Sequence, residues 1–413
     1  MFQNKNPLLK KIYAISQVKN EADIIESFIR YSLIHFDGII ITDDASTDNT
    51  LEIIHSLSVE FSERVIIIPS RKKGDAECRL DYHRNKLLQI AFDEYNADIV
   101  VPLDADEFLI ADDEKTVRLC LEKLDENACY LCRWKTFIYS PYDGDMLDCS
   151  FVPARYLYYR NPHMIHEMTK VIVFRKPWLN ANLSLVLGNH TVISISKRSF
   201  PLIELENLFF AHYPIRSVEQ IKSKVIKFML HNLSVPDMNP KQSNHIEMMY
   251  NYLKKHNLTL SNNDILWFNL LYSSSESHVP EKTSMLSNCI AINPQKYYPE
   301  IKCIHTAQML NNISVITDTV ASVMSSYDKL YPNNNNNKGV TTLLDVAEFV
   351  VLDYREKRRE LLDPNEKLRI KYKWIMHNIW LKPLCIIQKS FPNGSKRGKV
   401  VRHVWYKLNN QKK

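Results

Sequence analysis

Across the first 110 residues, four short apolar runs alternate with amphipathic stretches, and this alternation restricts the fold more than any other feature. "KIYAISQV" (11–18), "GIIIT" (38–42), "RVIIIPS" (64–70) and "DIVVPLDADEF" (98–108) are short and rich in Ile and Val, as buried strands are. Between the first two, "NEADIIESFIRYSLIHF" (20–36) carries Ile24, Ile25, Phe28, Ile29, Leu33 and Phe36 at helical spacing. "STDNTLEIIHSL" opens a second helix, with Ser46, Thr47 or Asp48 as its cap, and "AECRLDYHRNKLLQIAFDEY" (76–95) reads as a third. Strand and helix in strict turn predict an α/β fold with a doubly wound, mostly parallel sheet flanked by helices.

Open parallel sheets bind ligands beyond the carboxyl ends of their strands. Polar clusters sit at those ends: Asn20 and Glu21 after the first strand, Asp43 and Asp44 after the second, and Asp104, Asp106 and Glu107 after the fourth. Neighbouring carboxylates repel and are costly to bury without a counter-charge, yet "IVVPL" and "FLI" tie the last cluster to the core. Hard divalent cations such as Mg²⁺ and Mn²⁺ take oxygen ligands, usually a few carboxylates plus substrate phosphates, so this cluster suits metal binding. Asp43 and Asp44 can accept hydrogen bonds from a nucleobase N–H or a ribose hydroxyl.

The bulk composition narrows the class. Only 7 Gly among 413 residues argue against glycine-rich phosphate loops, and no apolar run approaches the roughly 18 residues that span a bilayer. "MFQNKNPLLKKIYAIS" lacks a continuous apolar core and a small-residue cleavage site, so no secretory signal is expected. Eight scattered cysteines then point to reduced thiols in a cytoplasm. Cys129 and Cys132 form the one close pair. On a strand, positions three apart face opposite ways, so the pair predicts no metal or redox site.

Beyond residue 110, "YLCRWKTFIYS", "TKVIVFRKPWL" and "GNHTVISIS" read as further strands, with "PYDGD" (141–145) as a turn. From about 215 to 330 the pattern is helical, as in Ile246, Met249, Tyr250 and Leu253. "YPNNNNNK" (331–338) is a low-complexity linker, and 341–362 a charged helix. After residue 366 there are 13 Lys or Arg and no Asp or Glu; of the chain's 53 basic and 47 acidic residues this leaves 40 against 47 before it. The basic tail interleaves its charges with Trp374, Ile375, Ile379, Trp380 and Leu384, a pattern that suits an anionic membrane surface. Nucleic acid is not the expected partner.

"VKNEADIIESFIRYSLIHFDGIIITDDASTDNT", then "VVPLDADEFL", then "AHYPIRSVEQIKSK" (211–224) together resemble family 2 glycosyltransferases of the GT-A fold. More narrowly, they resemble the bacterial branch with D-x-D-E-F and H-Y-x-x-R-S motifs, and the resemblance covers roughly residues 10–230. The resemblance implies a GT-A domain over 9–230; beyond its reach, the residue pattern alone predicts a helical extension (231–330), the linker (331–338), and a charged helix with a membrane-associating tail (339–413). It implies sugar transfer, usually inverting, from a nucleoside diphosphate donor to a glycan or lipid-linked acceptor. Asp104 and Asp106 match the pair that holds Mn²⁺ or Mg²⁺, with His212 as a third ligand. Asp43 and Asp44 match nucleoside contacts and Asp104 a diphosphate contact; Asn20, Glu21, Arg216 and Lys224 are further candidate donor contacts, and Arg79 and Arg84, on the helix before the fourth strand, are candidates to face the donor. His166 and His190 are weaker candidates. Asp143, Asp145 and Glu167 are the candidates for the base that deprotonates the acceptor hydroxyl.

The expected role is building a cell-surface polysaccharide, lipopolysaccharide or capsule, by a cytoplasmic enzyme on the inner face of the cytoplasmic membrane. Two rivals are a catalytically dead glycan- or membrane-binding protein and a sugar nucleotidyltransferase. An intact "DADEF" weighs against the first. The absence of a Gly-rich basic signature in "SQVKNEAD" weighs against the second.

Overall fold

The structure is a computed structural model that describes residues 9–69, 80–112, 116–140, 150–160, 168–186, 188–234, 244–272, 289–291, 293–294, 298–305 and 352. These fall into two compact units, one within Met1–Lys224 and Leu258–Thr319, the other within Val225–Asn257 and Val320–Lys413.

The first unit opens as the alternation predicts. Strands β1 (Ile12–Val18), β2 (Gly38–Asp43), β3 (Val65–Ile67) and β4 (Ile99–Pro102) pair in parallel in the order β3-β2-β1-β4. Helices α1 (Ile25–His35), α2 (Thr50–Glu60) and α3 (Leu80–Asp93) fill the intervals. Because successive side chains on a strand face opposite ways, β2 feeds two cores. Ile39 and Ile41 pack with Phe28, Ile29, Ile54 and Leu57 of α1 and α2, whereas Ile40 packs with Leu87, Leu88 and Phe92 of α3. Gly38 is required where β2 starts: a Cβ there would lie 2.6 Å from the Tyr13 ring and 3.0 Å from the Arg64 carbonyl. The cap of α2 differs from the expectation, since Asp48 Oδ1 accepts from the Thr50 backbone N–H and hydroxyl, and the N-cap is Asn49.

"DADEF" does not extend β4. The strand stops at Pro102, residues 103–106 turn, and β5 runs Glu107–Ala111. After α4 (Val117–Glu122) come β6 (Cys129–Thr136), β7 (Tyr158–Arg160) and β8 (Thr169–Phe174). "RKPWLNA" is not strand but helix α5 (Arg175–Ala181), whose Pro177 lies in the first turn, where a missing N–H costs little. A hairpin, β9 (Leu183–Val186) with β10 (Thr191–Ser194), backs α3: the Asn85 side chain bonds both the carbonyl and the N–H of Leu185. β11 (Leu202–His212) completes the sheet.

The sheet has eight strands in the order β3-β2-β1-β4-β8-β6-β11-β5, with four parallel and three antiparallel pairings. Three strands thus lie between β4 and β5, about 19 Å away at the usual strand spacing if the sheet were flat. The four-residue link is itself a turn, closed by Glu107 N–H on the Asp104 carbonyl, so the sheet must curl. That curl brings β8, β6 and β11 around the acidic turn. Cys129 and Cys132 enter opposite cores, as their spacing predicts.

The first unit also contains α8 (Asn262–Tyr272) and β12 (Cys289–Ala291), the latter paired with β7. Helices α6 (Val218–Ser234) and α7 (Asn244–Lys255) precede them in the chain; α7 buries Ile246, Met249, Tyr250 and Leu253, the predicted helical stripe. No described helix is long and apolar enough to cross a membrane. The Asn-rich linker, the charged helix (apart from Leu352) and the basic tail lie outside the described residues.

Candidate active site

Five carboxylates and four fixed cations meet at the turn between β4 and β5. Asp104 is held on both oxygens: Arg84 Nη2 lies 2.7 Å from Oδ1 and Lys170 Nζ 2.9 Å from Oδ2. Glu107, fully buried, accepts from the Asp104 N–H on Oε2 at 3.1 Å and lies 3.1 Å from Lys170 Nζ through Oε1. Asp106 Oδ2 faces Lys224 Nζ at 3.1 Å, with His212 Nε2 and Arg216 Nη1 each at 3.7 Å. Arg216 in turn bonds Asp23 at 2.7 and 2.9 Å and Glu21 at 2.5 Å.

Backbone pairing sets these partners. β11 runs antiparallel to β5 with His212 opposite Glu107, and the next residue, Tyr213, donates its N–H to the Asp106 carbonyl at 2.8 Å. The His212 ring stacks on Trp134 at 4.3 Å between ring centres, and Tyr272 lies 5.8 Å away. Trp134 also meets His190 edge-on at 5.0 Å; the His190 Nδ1 is bonded to the Thr169 carbonyl.

The charges tune one another. Burial alone would raise Asp106, but Lys224, His212 and Arg216 outweigh it and hold its carboxyl well below the ordinary range. Asp104 is lowered in the same way, its burial opposed by Lys170 and Arg84. Burial wins at Glu107, pushed up to about 8 despite Lys170, and at Glu21, pushed up to about 7 despite Arg216. Burial also lowers His212, against Asp106, and so favours the neutral imidazole that binds metals.

The ends of β1 and β2 form the neighbouring wall. Asn20 adopts φ 56°, and its Oδ1 accepts from the Thr47 N–H and hydroxyl while its own N–H donates to Ser46 Oγ. Asp43 Oδ2 accepts from the Ser46 N–H. Asp43 Oδ1, Gln17 Oε1 and Thr42 Oγ1 are buried with no hydrogen-bond partner among the described residues. Asp44 is paired at 3.2 Å with Lys19 and is partly exposed.

The structure therefore gathers Glu21, Arg84, Asp104, Asp106, His212, Arg216 and Lys224 around one turn, and places Asn20, Asp43 and Asp44 along the adjoining strand ends. The Arg216 guanidinium, 2% exposed, is committed to internal carboxylates, and Asp104 has no oxygen without a cation beside it. Arg79, Asp143, Asp145, His166 and Glu167 lie outside the described residues. Sequence reasoning missed Asp23, Trp134, Lys170 and Tyr272. The one available signal was Lys170 itself, a charge set beside the apolar run "VIVF".

Among the described residues no three His, Cys, Asp or Glu side chains are grouped to hold an ion. The Asp106–His212 pair nevertheless fits one: an anionic oxygen and a neutral imidazole nitrogen point at each other across 3.7 Å, and Asp106 is held ionised. Asp104 does not fit as a ligand while Arg84 and Lys170 occupy it.

Residues 15–179 match the model of glycosyl transferase family 2. None of the curated proteins matches the chain. Solved structures with a loose likeness include the mannosyltransferase PcManGT from Pyrobaculum calidifontis in complex with GDP-Man and Mn²⁺, at 13% identity over 83% of this chain and 87% of that one, TM-score 0.29. Another is GalNAc-T7 with UDP, GalNAc and Mn²⁺, at 11% identity over 66% and 56%, TM-score 0.32. A third is glucosyl-3-phosphoglycerate synthase from Mycobacterium tuberculosis with phosphoglyceric acid, at 14% identity over 51% and 75%, TM-score 0.24. Over residues 15–179 the chain is thus similar to glycosyl transferase family 2.

Proposed function

We propose that the protein moves a sugar from a nucleoside diphosphate donor to a hydroxyl of a growing cell-surface glycan, lipopolysaccharide or capsule, with inversion and with Mn²⁺ or Mg²⁺. The observation that carries the reading is the Asp106 cluster. One carboxylate held ionised by Lys224 and Arg216, and facing His212, lies at the carboxyl end of a parallel strand, where such sheets bind ligands. A divalent cation on Asp106 and His212 would offset the charge on the departing diphosphate.

The chain's own groups supply the rest. Lys224, whose side chain is 28% exposed, and Arg84 are cations beside the site that can meet phosphate oxygens. The unpartnered acceptors of Gln17, Thr42 and Asp43 suit the N–H and O–H donors of a nucleoside. Glu21 and Asp23 fix Arg216, which stays under the cluster as a counter-charge. Asp143, Asp145 and Glu167 remain the proposed bases for the acceptor hydroxyl. The basic tail is the proposed membrane contact, which would place the enzyme beside a lipid-linked acceptor on the inner face of the cytoplasmic membrane.

The test is turnover. Purified protein with Mn²⁺ is offered UDP- and GDP-sugars, and release of nucleoside diphosphate is followed. Slow release from one donor, lost in Asp106→Ala, supports the reading. Binding without release from any donor indicates an inactive binding domain instead.

A further inference from the structure

Lys170 is the second residue of β8, and its side chain is 1% exposed. Its ammonium lies 2.9 Å from Asp104 Oδ2, 3.1 Å from Glu107 Oε1 and 2.8 Å from the Gly188 carbonyl. An ammonium has three N–H groups and no acceptor; here it donates to Asp104 Oδ2 and the Gly188 carbonyl and pairs with Glu107 Oε1, oxygens from two chain segments. Glu107 also accepts the Asp104 N–H. Lys170, the Asp104 side chain, the Asp104 N–H and the Glu107 side chain thus close a ring that ties Asp104 to Glu107, the residues on either side of Ala105 and Asp106.

We propose that Lys170 is a positioning residue for donor transfer: it clamps both ends of the Asp104–Glu107 turn and sets Asp106 before cation or donor arrives. The inference rests on the donor-site reading above and deepens it. Three carboxylates within four residues repel one another unless a counter-charge is present. Lys224, at 28% exposure, stands where it can turn to a ligand, and Arg84 is 12% exposed. Lys170 can do neither, since its side chain is 1% exposed and its ammonium is bonded to Asp104 and Gly188 and paired with Glu107. The carbonyl it holds belongs to Gly188, at φ +70°, where a Cβ would lie 3.3 Å from Arg84 Nη1. That glycine lets the loop approach closely enough for Lys170 and Arg84 to grip the two oxygens of Asp104 from opposite sides.

The experiment uses the full chain as wild type, Lys170→Met and Glu107→Gln. The nucleoside diphosphate that wild type binds is titrated at a series of Mn²⁺ concentrations, and kcat and KM are measured with the matching sugar donor. For Lys170→Met the Mn²⁺ needed for half-maximal binding should rise about 10- to 100-fold, as it does when a group that orients a metal ligand is lost. Its kcat should fall about 100-fold, the cost of a displacement near 1 Å. Glu107→Gln keeps the shape and the Asp104 bond of Lys170, and should raise the Mn²⁺ requirement about tenfold. If Lys170→Met fails to fold, Glu107→Gln decides alone. An unchanged Mn²⁺ requirement and kcat in the folded variants would show Lys170 to be merely structural and overturn the proposal. Failure of wild type to bind any nucleotide would instead sink the donor-site reading, and this proposal with it.

Discussion

Asp106 Oδ2 and His212 Nε2 face each other at 3.7 Å although Asp106 lies in the turn before β5 and His212 at the end of β11. The register of β5 with β11 brings them together, and the Tyr213 N–H on the Asp106 carbonyl fixes the distance. If this pair binds the cation, His212→Ala should remove the gain in nucleotide affinity that Mn²⁺ gives wild type and leave metal-free binding nearly unchanged. Titration calorimetry with and without Mn²⁺ measures both. A full Mn²⁺ gain in the variant would place the ion elsewhere.

Arg216 joins the first helix region to the end of β11 through Glu21 and Asp23. Removing one partner of a buried ion pair leaves uncompensated charge, so Arg216→Met should lose about 3–5 kcal/mol of stability. Adding Glu21→Gln should recover part of that loss. Urea midpoints with slopes provide the numbers, and a single variant within about 1 kcal/mol of wild type contradicts the clamp.

Phe108 is 1% exposed and meets the rings of Phe28, Tyr31, Phe151, Tyr213 and Tyr298. Phe108→Ala should cost about 3–5 kcal/mol through the cavity it leaves. Because Glu107 precedes it, activity should fall with stability. Phe108→Leu, which keeps most of the volume, should restore much of both.

His35 sits at the end of α1 against Tyr31, and burial pushes it down to about 4. Below pH 6.5 the unfolded chain takes up a proton that the folded chain refuses, so stability present above that pH is lost as the pH falls toward 4. From pH 7 to pH 4.5 this one group should remove about 2 kcal/mol. His35→Phe, which cannot titrate, should lose that much less than wild type over the same interval in urea titrations. Equal losses would mean that His35 is already charged in the fold.

Much of the first unit could be read from the sequence because its signal is local. β1 to β4 and the helices between them carry clean periods, and the polar clusters mark the strand ends. β11 was not legible, because "LIELENLFFAH" is exposed over its first half and buried over its second, and follows neither pattern. "DADEF" hid a turn and a new strand because its carboxylates interrupt the apolar run at the place where the chain reverses. The use of Asp104 was not legible either. The spacing of Asp104 and Asp106 suggests a shared cation, but only the fold reveals that Arg84 and Lys170 reach Asp104 from distant segments.

The most direct test of the account titrates a panel of nucleoside diphosphates into wild type and Asp106→Ala, with and without Mn²⁺. The account predicts micromolar binding of one diphosphate that depends on Mn²⁺ in wild type and is lost in the variant. Binding that is equal in the two proteins, or absent from well-folded wild type, would contradict a donor site built on Asp106.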